Sequence, residues 1–342
     1  MMKKKLLEVK ELVTDFTSDR GTFHVVDRIS FDIDYGETVG LVGESGSGKS
    51  ITSLSILGLI KTPGRIAGGS ILFQGEELIG KTAKEMGSVR GQEMSMIFQE
   101  PMTSLNPVLT VGEQIAETVR QHKGMSRKEA MQHAVGMLEK VGIPMPETRV
   151  KQYPHQLSGG MRQRVMIAIA LSCSPKLLIA DEPTTALDVT IQAQILELMK
   201  TLNRDEGTGI LMVTHDLGVV AEVCEKVIVM YAGQVVEQGP SQEIFTNPLH
   251  PYTELLLKSI PQIGGTREKL YSIPGHVPSP HAMPDGCRFH ARCPYAFDRC
   301  SREEPVLLDQ GSGRRVSCWK YDELADPARV QGEQADQLEQ SK

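Results

Sequence analysis

The apolar positions near the N-terminus fall in short runs separated by polar turns, which is typical of β-strands. The predicted strands in this part of the chain are Leu6–Val13, Phe23–Val26, Ile29–Ile33 and Thr38–Val42. After the last of them, Ile51–Leu59 is apolar at helical spacing. The first fifty-odd residues therefore predict several strands and then one helix.

Further along, apolar strands alternate with amphipathic helices. The predicted helices are Val111–Gln121, Arg127–Val141 and Ile191–Leu202, and the predicted buried strands are Leu177–Ala180, Gly209–Thr214 and Lys226–Met230. Alternation of this kind predicts an α/β fold with a largely parallel sheet covered on both faces.

The pattern changes after Gly239 and Pro240. His250–Ile260 predicts one more helix, and residues 261–286 are rich in proline and glycine, as in an irregular connection. We expect a main domain over 1–245 with a helical part at about 100–165, a C-terminal region over 246–322, and a disordered polar tail over 323–342.

The charge balance and the short apolar runs argue against nucleic-acid-binding and membrane-spanning proteins. The chain has 342 residues, with 37 Lys and Arg against 43 Asp and Glu, so it lacks the basic surface typical of nucleic-acid binders and no nucleic-acid partner is expected. No apolar run reaches the roughly 18 residues of a membrane-spanning helix, and Glu8, Lys10 and Glu11 interrupt any signal-peptide core. A cytosolic protein is expected.

A glycine-rich loop follows the predicted strand Thr38–Val42. Its residues are Gly43, Glu44, Ser45, Gly46, Ser47, Gly48, Lys49 and Ser50, which match the G-x-x-x-x-G-K-S phosphate-binding loop. Glycines let the backbone N–H groups surround phosphates, and the helix that follows adds its positive dipole end. Lys49 is expected to bind the β- and γ-phosphates of a nucleotide, and Ser50 to bind Mg²⁺.

Two carboxylates end the apolar strand Leu177–Ala180. In a chain that also has a phosphate-binding loop, this strand resembles the second nucleotide-binding motif of P-loop proteins. Asp181 is then expected to hold Mg²⁺ indirectly, and Glu182 to polarise the attacking water as carboxylates do in phosphoryl transfer.

Four further motifs occur in order along the chain. They are Gln99 within Ile97–Pro101, the five-residue segment Leu157, Ser158, Gly159, Gly160 and Met161, the segment Thr185–Asp188, and His215 after a predicted strand. Together with the phosphate loop, they resemble the ATP-binding-cassette (ABC) ATPases over residues 6 to about 240. Ser158 is predicted to cap the helix that starts near Gly159.

That resemblance implies a RecA-like core sheet, an N-terminal antiparallel β subdomain and a helical subdomain. It also implies roles: Gln99 contacts Mg²⁺, Leu157–Met161 is the signature that binds the ATP held by a partner subunit, Asp188 lies at the dimer seam, and His215 senses the γ-phosphate. An aromatic residue that stacks on adenine is expected before the loop, with Phe16 the first choice and Phe23 the second.

Six cysteines occur in a chain expected to be cytosolic, which favours core thiols or metal ligands over disulfides. Cys173 and Cys224 lie in apolar helical contexts and are expected in the core. The other four are Cys287, Cys293, Cys300 and Cys318. Their spacing leaves zinc and an iron–sulfur cluster open as alternatives.

The segments His250–Thr253, Ile273–Gly275, Gly286–Cys287 and Arg292–Pro294 resemble the C-terminal extension of dipeptide and oligopeptide importer ATPases. That resemblance implies a [4Fe-4S] cluster on the four cysteines. It also implies a second ABC ATPase subunit, similar but not identical, with a homodimer as the alternative.

The same resemblance implies two transmembrane permeases, an extracytoplasmic peptide-binding protein and a place on the cytoplasmic face of the membrane. The alternatives are an importer of nickel, glutathione or another small solute, and an ABC ATPase without a transport role.

Overall fold

The computed structural model describes residues 4–99, 104–184, 189–259 and 272–322. Its strands in chain order are β1 (Lys5–Ser18), β2 (Gly21–Asp34), β3 (Thr38–Val42), β4 (Gly64–Phe73), β5 (Glu76–Glu77), β6 (Met94–Ile97), β7 (Leu177–Asp181), β8 (Gly209–Val213), β9 (Lys226–Tyr231), β10 (Gln234–Pro240), β11 (Leu308–Asp309) and β12 (Arg315–Val316).

The α-helices lie between Lys49 and Lys258. In order they are α1 (Lys49–Ile56), α2 (Ala83–Val89), α3 (Val111–Lys123), α4 (Arg127–Lys140), α5 (Pro146–Arg149), α6 (Gly159–Leu171), α7 (Val189–Glu206), α8 (Leu217–Val223), α9 (Ser241–Thr246) and α10 (Pro251–Lys258). Within the described ranges, no helix has both the length and the apolar character needed to cross a membrane.

The N-terminal sheet is antiparallel, with strand order β2-β1-β4-β5. The prediction of three short strands here was wrong, because β1 and β2 are two 14-residue strands paired along their length. Glu11 and Arg28 have positive φ values where the pairing register shifts, which is typical of β-bulges. Each strand therefore continues past polar positions that the sequence pattern suggested were turns.

The core sheet has the order β11-β12-β10-β9-β3-β8-β7-β6. Strands β9, β3, β8, β7 and β6 are parallel, while β10, β12 and β11 extend the sheet in antiparallel pairing. The predicted parallel sheet is therefore confirmed, and the short strands β11 and β12 of the C-terminal region belong to it.

Both faces of the parallel strands are buried. Leu178 and Ala180 of β7 point into a core shared with the helices α3, α4, α6, α7 and α8, whereas Leu177 and Ile179 point into a core shared with the N-terminal sheet. Such strands have no solvent face, which explains their continuous apolar sequences.

The C-terminal region packs on the first of these cores through Tyr252, Ile273 and Phe289. The helix predicted at His250–Ile260 is α10, Pro251–Lys258, with His250 as its cap. Residues 260–271, the predicted disordered tail from 323 onward and the segment Thr185–Asp188 lie outside the described residues.

Candidate functional site

Loops from four parallel strands form one pocket. The phosphate loop follows β3, Gln99 follows β6, Glu182 follows β7 and His215 follows β8, and all four contribute to the pocket wall. The carboxyl ends of parallel strands meet at one edge of the sheet, which is where ligands of open α/β folds bind. The structure thus brings together residues predicted from four separate stretches of sequence.

The backbone of the phosphate loop requires glycine at two positions. Gly43 has a φ of 151°, and a Cβ there would lie 2.2 Å from the carbonyl oxygen of Met230. Gly48 has a φ of 100° and is the N-cap of α1, so the first N–H groups of this helix face the loop. The loop therefore presents backbone donors and a helix N-terminus, which together suit phosphate.

Lys49 folds back over its own loop. Its Nζ donates to the carbonyl oxygens of Gly43 at 2.7 Å and Glu44 at 3.0 Å. Burial lowers the pKa of Lys49, and the carboxylates of Glu182, Asp181 and Glu44 oppose that shift. The ammonium group thus stands among acidic groups at the point where phosphate oxygens are expected.

Ser50, which lines this pocket, contacts Asp181, which is buried and is not part of the pocket wall. The Ser50 hydroxyl donates to Asp181 Oδ1 across 3.2 Å, and Asp181 is 4 % exposed. Burial raises the pKa of Asp181, while the hydrogen bond from Ser50 acts in the opposite direction. A buried carboxylate beside a hydroxyl is a set of oxygen ligands that a hard cation such as Mg²⁺ would stabilise.

Glu182 lies between two polar side chains. Gln99 Nε2 donates to its Oε2 at 3.1 Å, and His215 Nδ1 lies 3.0 Å from its Oε1. The backbone of Glu182 has a φ of 48°, a left-handed conformation, and its N–H donates to Val213 at 2.7 Å. Strain of this kind is retained where the surroundings fix a side chain in one direction.

The signature segment lies apart from this pocket. Ser158 caps α6, as predicted, with its Oγ accepting from the Met161 N–H at 3.4 Å. Ser158 and Gly159 are exposed, and none of the described residues that line the pocket comes from Leu157–Met161. Ser158 and Gly159 therefore face away from the phosphate loop of their own chain, whereas Leu157 is buried in the hydrophobic core.

The signature helix is also fixed from behind. Gln163 Nε2 donates to the Pro183 carbonyl at 2.7 Å, next to Glu182, so α6 is tied to the loop that follows β7. Arg164, which is half-buried, holds the same helix, because its Nη1 donates to the carbonyl oxygen of Val141, at the end of α4, at 2.8 Å. The helix is buried on most sides, which its apolar sequence explains.

The two candidate aromatic residues for adenine are neighbours. Phe16 and Phe23 are paired across β1 and β2, with ring centroids 6.4 Å apart, and Phe23 also contacts His281 at 4.2 Å. Neither phenylalanine lines the pocket at the phosphate loop, where Val25 does so. The adenine contact therefore stays a prediction for both.

Four cysteines line one small apolar pocket in the C-terminal region: Cys287, Cys293, Cys300 and Cys318. Burial raises the pKa of Cys287 to about 12 and that of Cys318 to about 11, and nearby cysteine sulfurs act in the same direction. The other two cysteines, Cys173 and Cys224, are 5 % and 6 % exposed and lie in the hydrophobic core, as predicted.

A separate acidic group lies near the end of β2. Ligand oxygens of Asp32, Asp34 and Glu37 fall within 4.8 Å of one another. Lys5 pairs with both aspartates and Lys226 pairs with Asp32. These ion pairs offset the charges of the two aspartates.

Sequence reasoning missed one contact at the site. Arg292 and Tyr252, both from the C-terminal region, bind Glu44 of the phosphate loop. Both residues occur in the segments that carry the importer resemblance, but sequence alone gave no reason to place them beside the loop.

Two family models match the chain. One, described as ABC transporter, covers residues 26–185, and the other, described as oligopeptide/dipeptide transporter, C-terminal region, covers residues 236–300.

Relatives match along nearly the whole length. The chain is 59 % identical to the oligopeptide transport ATP-binding protein AppD of Bacillus subtilis, over 93 % of this chain and 97 % of that protein. It is 52 % identical to the dipeptide transport ATP-binding protein DppD of Escherichia coli, over 92 % and 96 %.

Solved structures agree with the fold. The ATP-binding cassette MJ0796, a dimer in a post-hydrolysis state bound to ADP and Pi, matches with a TM-score of 0.63 at 29 % identity, covering 69 % of this chain and 98 % of that chain. The first relative alone, at 59 % identity over 93 % of the chain, is sufficient to assign the family. The chain belongs to the ATP-binding proteins of the ABC transporter family, in the branch that carries the oligopeptide/dipeptide transporter C-terminal region.

Proposed function

We propose that this chain is the ATP-hydrolysing subunit of an ABC importer that takes up dipeptides or oligopeptides across the cytoplasmic membrane. The observation that carries the proposal is the position of Glu182, held between Gln99 and His215 at the mouth of the phosphate-loop pocket. This arrangement fits the attack of water on a nucleotide γ-phosphate.

The geometry supports a proposed role for each of these residues. Backbone N–H groups of the loop and Lys49 would bind the phosphates. Ser50 and Gln99, with Asp181 acting indirectly, would hold Mg²⁺, which would neutralise phosphate charge. Glu182 accepts a proton from the attacking water, and its hydrogen bonds to Gln99 and His215 fix the direction of the carboxylate. Asp188 at the dimer seam lies outside the described residues, and its role stays a prediction.

Each active site is shared between two ATPase subunits in this proposal. The exposed Ser158 and Gly159, at the N-terminus of α6, suit contact with a phosphate held by another chain. We propose that the partner is a similar, non-identical ATPase, with a second copy of this chain as the alternative. The solved cassette MJ0796, which is a dimer, supports a paired arrangement.

An apolar groove beside Gln99 is the proposed docking place for the permeases. It is lined by Leu57, Met94, Met96, Phe98 and Leu105 among others, and Phe98 is 38 % exposed although it is a large apolar residue. A short permease helix bound here would contact the residue next to Gln99. Two permeases would hold the chain at the cytoplasmic face of the membrane, and an external binding protein would deliver the peptide.

Peptide cargo is proposed from the relatives, whose names specify oligopeptide and dipeptide transport. An importer of nickel, glutathione or another small solute is the alternative. We also propose the boundaries stated above: an ATPase domain over 1–245 and a C-terminal region over 246–322 that contributes β11 and β12 to the core sheet.

We propose that the four cysteines of the C-terminal region hold a [4Fe-4S] cluster. Four sulfurs at 2.3 Å from a tetrahedral zinc ion would lie about 3.8 Å apart. Among the described residues, Asp32, Asp34 and Glu37 are the group with ligand atoms within 4.8 Å of one another, so no three cysteine sulfurs lie that close. Four thiols around one small apolar pocket are a ligand set that a [4Fe-4S] cluster takes.

The transport proposal is tested in cells that lack this chain. Wild-type protein should restore uptake of labelled dipeptides or oligopeptides, and the Glu182→Gln variant should not. Two permeases and a second ATPase should co-purify with both. Restored uptake of nickel or glutathione in place of peptides would point to the alternative cargo, and co-purification with no membrane subunit would contradict a transport role.

The cluster is tested on protein purified without oxygen. About four iron and four sulfide per chain, with brown colour that is lost in a Cys287→Ser variant, are expected. A colourless protein with one zinc per chain would overturn the proposal, and Cys173→Ser is the control that should keep the colour.

A further inference from the structure

Glu44, the second residue of the phosphate loop, is held by the C-terminal region. Arg292 Nη1 lies 2.7 Å from Glu44 Oε2, and Arg292 Nη2 lies 3.0 Å from Glu44 Oε1. The backbone N–H of Glu44 donates to the Tyr252 hydroxyl at 2.8 Å. A loop that is 248 residues distant in sequence from Arg292 is thus fixed at both its side chain and its backbone.

Arg292 is itself held in place. Its side chain is 6 % exposed, its Nε donates to the Pro274 carbonyl at 2.8 Å, and its guanidinium lies 5.7 Å from the ring centroid of Tyr231. The two parallel bonds to Glu44 form the fork geometry that gives Arg–carboxylate pairs their strength and direction. Because Arg292 is buried and held by several partners, its guanidinium has a fixed position and holds the Glu44 side chain in place.

The negative charge of Glu44 lies close to the place where ATP phosphates are expected. The Glu44 carboxylate acts on Lys49 of the same loop, whose ammonium also bonds to the Glu44 carbonyl oxygen at 3.0 Å. Without Arg292, a negative charge would stand uncompensated beside the phosphate-binding loop. It would attract Lys49 and repel the phosphates, and a partly buried site screens such charges weakly.

We infer that Arg292 is a positioning residue of the nucleotide site, which neutralises and orients Glu44 so that the phosphate loop binds ATP. The C-terminal region is then part of the ATP site of this chain. Arg292 lies outside the nucleotide motifs, and the inference rests on the proposed binding of ATP at the phosphate loop, but not on the cargo or on a metal at the cysteines.

A charge-swap series in the full-length chain tests the inference, with the dissociation constant for ATP as the readout. Arg292→Met should weaken ATP binding about tenfold, which corresponds to one uncompensated charge near the phosphates. Adding Glu44→Gln to Arg292→Met should restore most of the affinity, because the offending carboxylate is removed. A residue that only supports the fold would give no such rescue.

Arg314→Met is the matched control. Arg314 is also a buried arginine of the C-terminal region, 7 % exposed at its side chain, and it pairs with the buried Glu237 at 3.0 Å, outside the phosphate-loop pocket. Both Arg314→Met and Arg292→Met remove a buried ion pair and should lower the unfolding temperature. Arg314→Met should nevertheless leave the affinity for ATP within about twofold.

Unchanged ATP affinity in Arg292→Met, or a double variant no better than Arg292→Met, would overturn the inference. Should Arg292→Met fail to fold, Tyr252→Phe takes its place, since it removes the single hydroxyl that accepts the Glu44 N–H bond. Weaker ATP binding by Tyr252→Phe at unchanged unfolding temperature supports the inference, and unchanged binding contradicts it.

Discussion

The Ser50 hydroxyl donates a hydrogen bond to the Asp181 carboxylate across 3.2 Å, although the two residues are 131 positions apart. One lies at the start of α1 and the other at the end of β7, and the parallel sheet brings these two ends together. These two residues are among those predicted to hold Mg²⁺.

Asp181→Asn should raise the Mg²⁺ concentration needed for half-maximal ATP hydrolysis about tenfold, because the amide accepts the Ser50 bond but lacks the negative charge. Titrating Mg²⁺ at saturating ATP measures this. Asp205→Asn, at an aspartate paired on the surface with Arg204, is the control and should match wild type. An unchanged Mg²⁺ requirement in Asp181→Asn would remove this residue from the site.

Gly159→Asp should abolish hydrolysis while the same chain still binds ATP. A Cβ at Gly159 meets nothing within 4 Å, so the variant should fold, but its carboxylate would face the phosphates held by the partner subunit. ATP binding and phosphate release in the assembled complex provide the two readouts. Gly136→Asp, also in open space but on α4, should keep both, and full activity in Gly159→Asp would argue against a shared site.

Trp319 offers a direct signal from the cysteine pocket. It is the one tryptophan of the chain, it lines that pocket, and the Arg299 guanidinium lies 3.5 Å from its ring centroid. A bound cluster should quench its fluorescence, and chelation of the metal should raise the emission severalfold. Equal emission before and after removal of iron would contradict metal binding at these cysteines.

His250 should make the protein sensitive to acid. Its side chain caps α10 by accepting the Tyr252 N–H at 3.0 Å, and burial lowers its pKa from 6.5 to about 3. The unfolded chain therefore takes up a proton below pH 6.5 and the folded chain does not. The stability contribution is complete above pH 6.5 and is lost as pH falls from there towards 3.

Between pH 6.5 and 5, this histidine should cost about 2 kcal/mol of unfolding free energy. Urea unfolding at the two pH values should show that loss in wild type and a smaller loss in His250→Asn, whose amide oxygen keeps the cap. His276→Asn, at an exposed histidine of the same region, should behave as wild type. Equal acid sensitivity in His250→Asn would contradict the assignment.

The parallel sheet and its loops were predictable from sequence because a buried strand has a continuous apolar run. Motifs such as Gly43–Ser50 and Asp181–Glu182 directly follow those runs, so the fold had to bring them to one edge. The length of β1 and β2 was not predictable, because bulges at Glu11 and Arg28 carry the strands through polar positions. Strand β4 was missed because most of its side chains alternate between partly and fully exposed.

The contact of Arg292 with Glu44 was beyond sequence reasoning for a different reason. An arginine before a cysteine and a glutamate within a glycine loop are both ordinary surface residues until the fold places them together. The contact between these two residues depends on tertiary packing, which a local sequence pattern does not predict.

The most direct test of the account is hydrolysis by the assembled complex with Glu182→Gln in this chain. The amide keeps an oxygen for the Gln99 bond but cannot accept a proton from water, so phosphate release at this site should fall at least about a hundredfold. ATP should stay bound and hold the ATPase pair closed. Hydrolysis at the wild-type rate, with ATP turned over rather than retained, would contradict the central claim that Glu182 activates the attacking water.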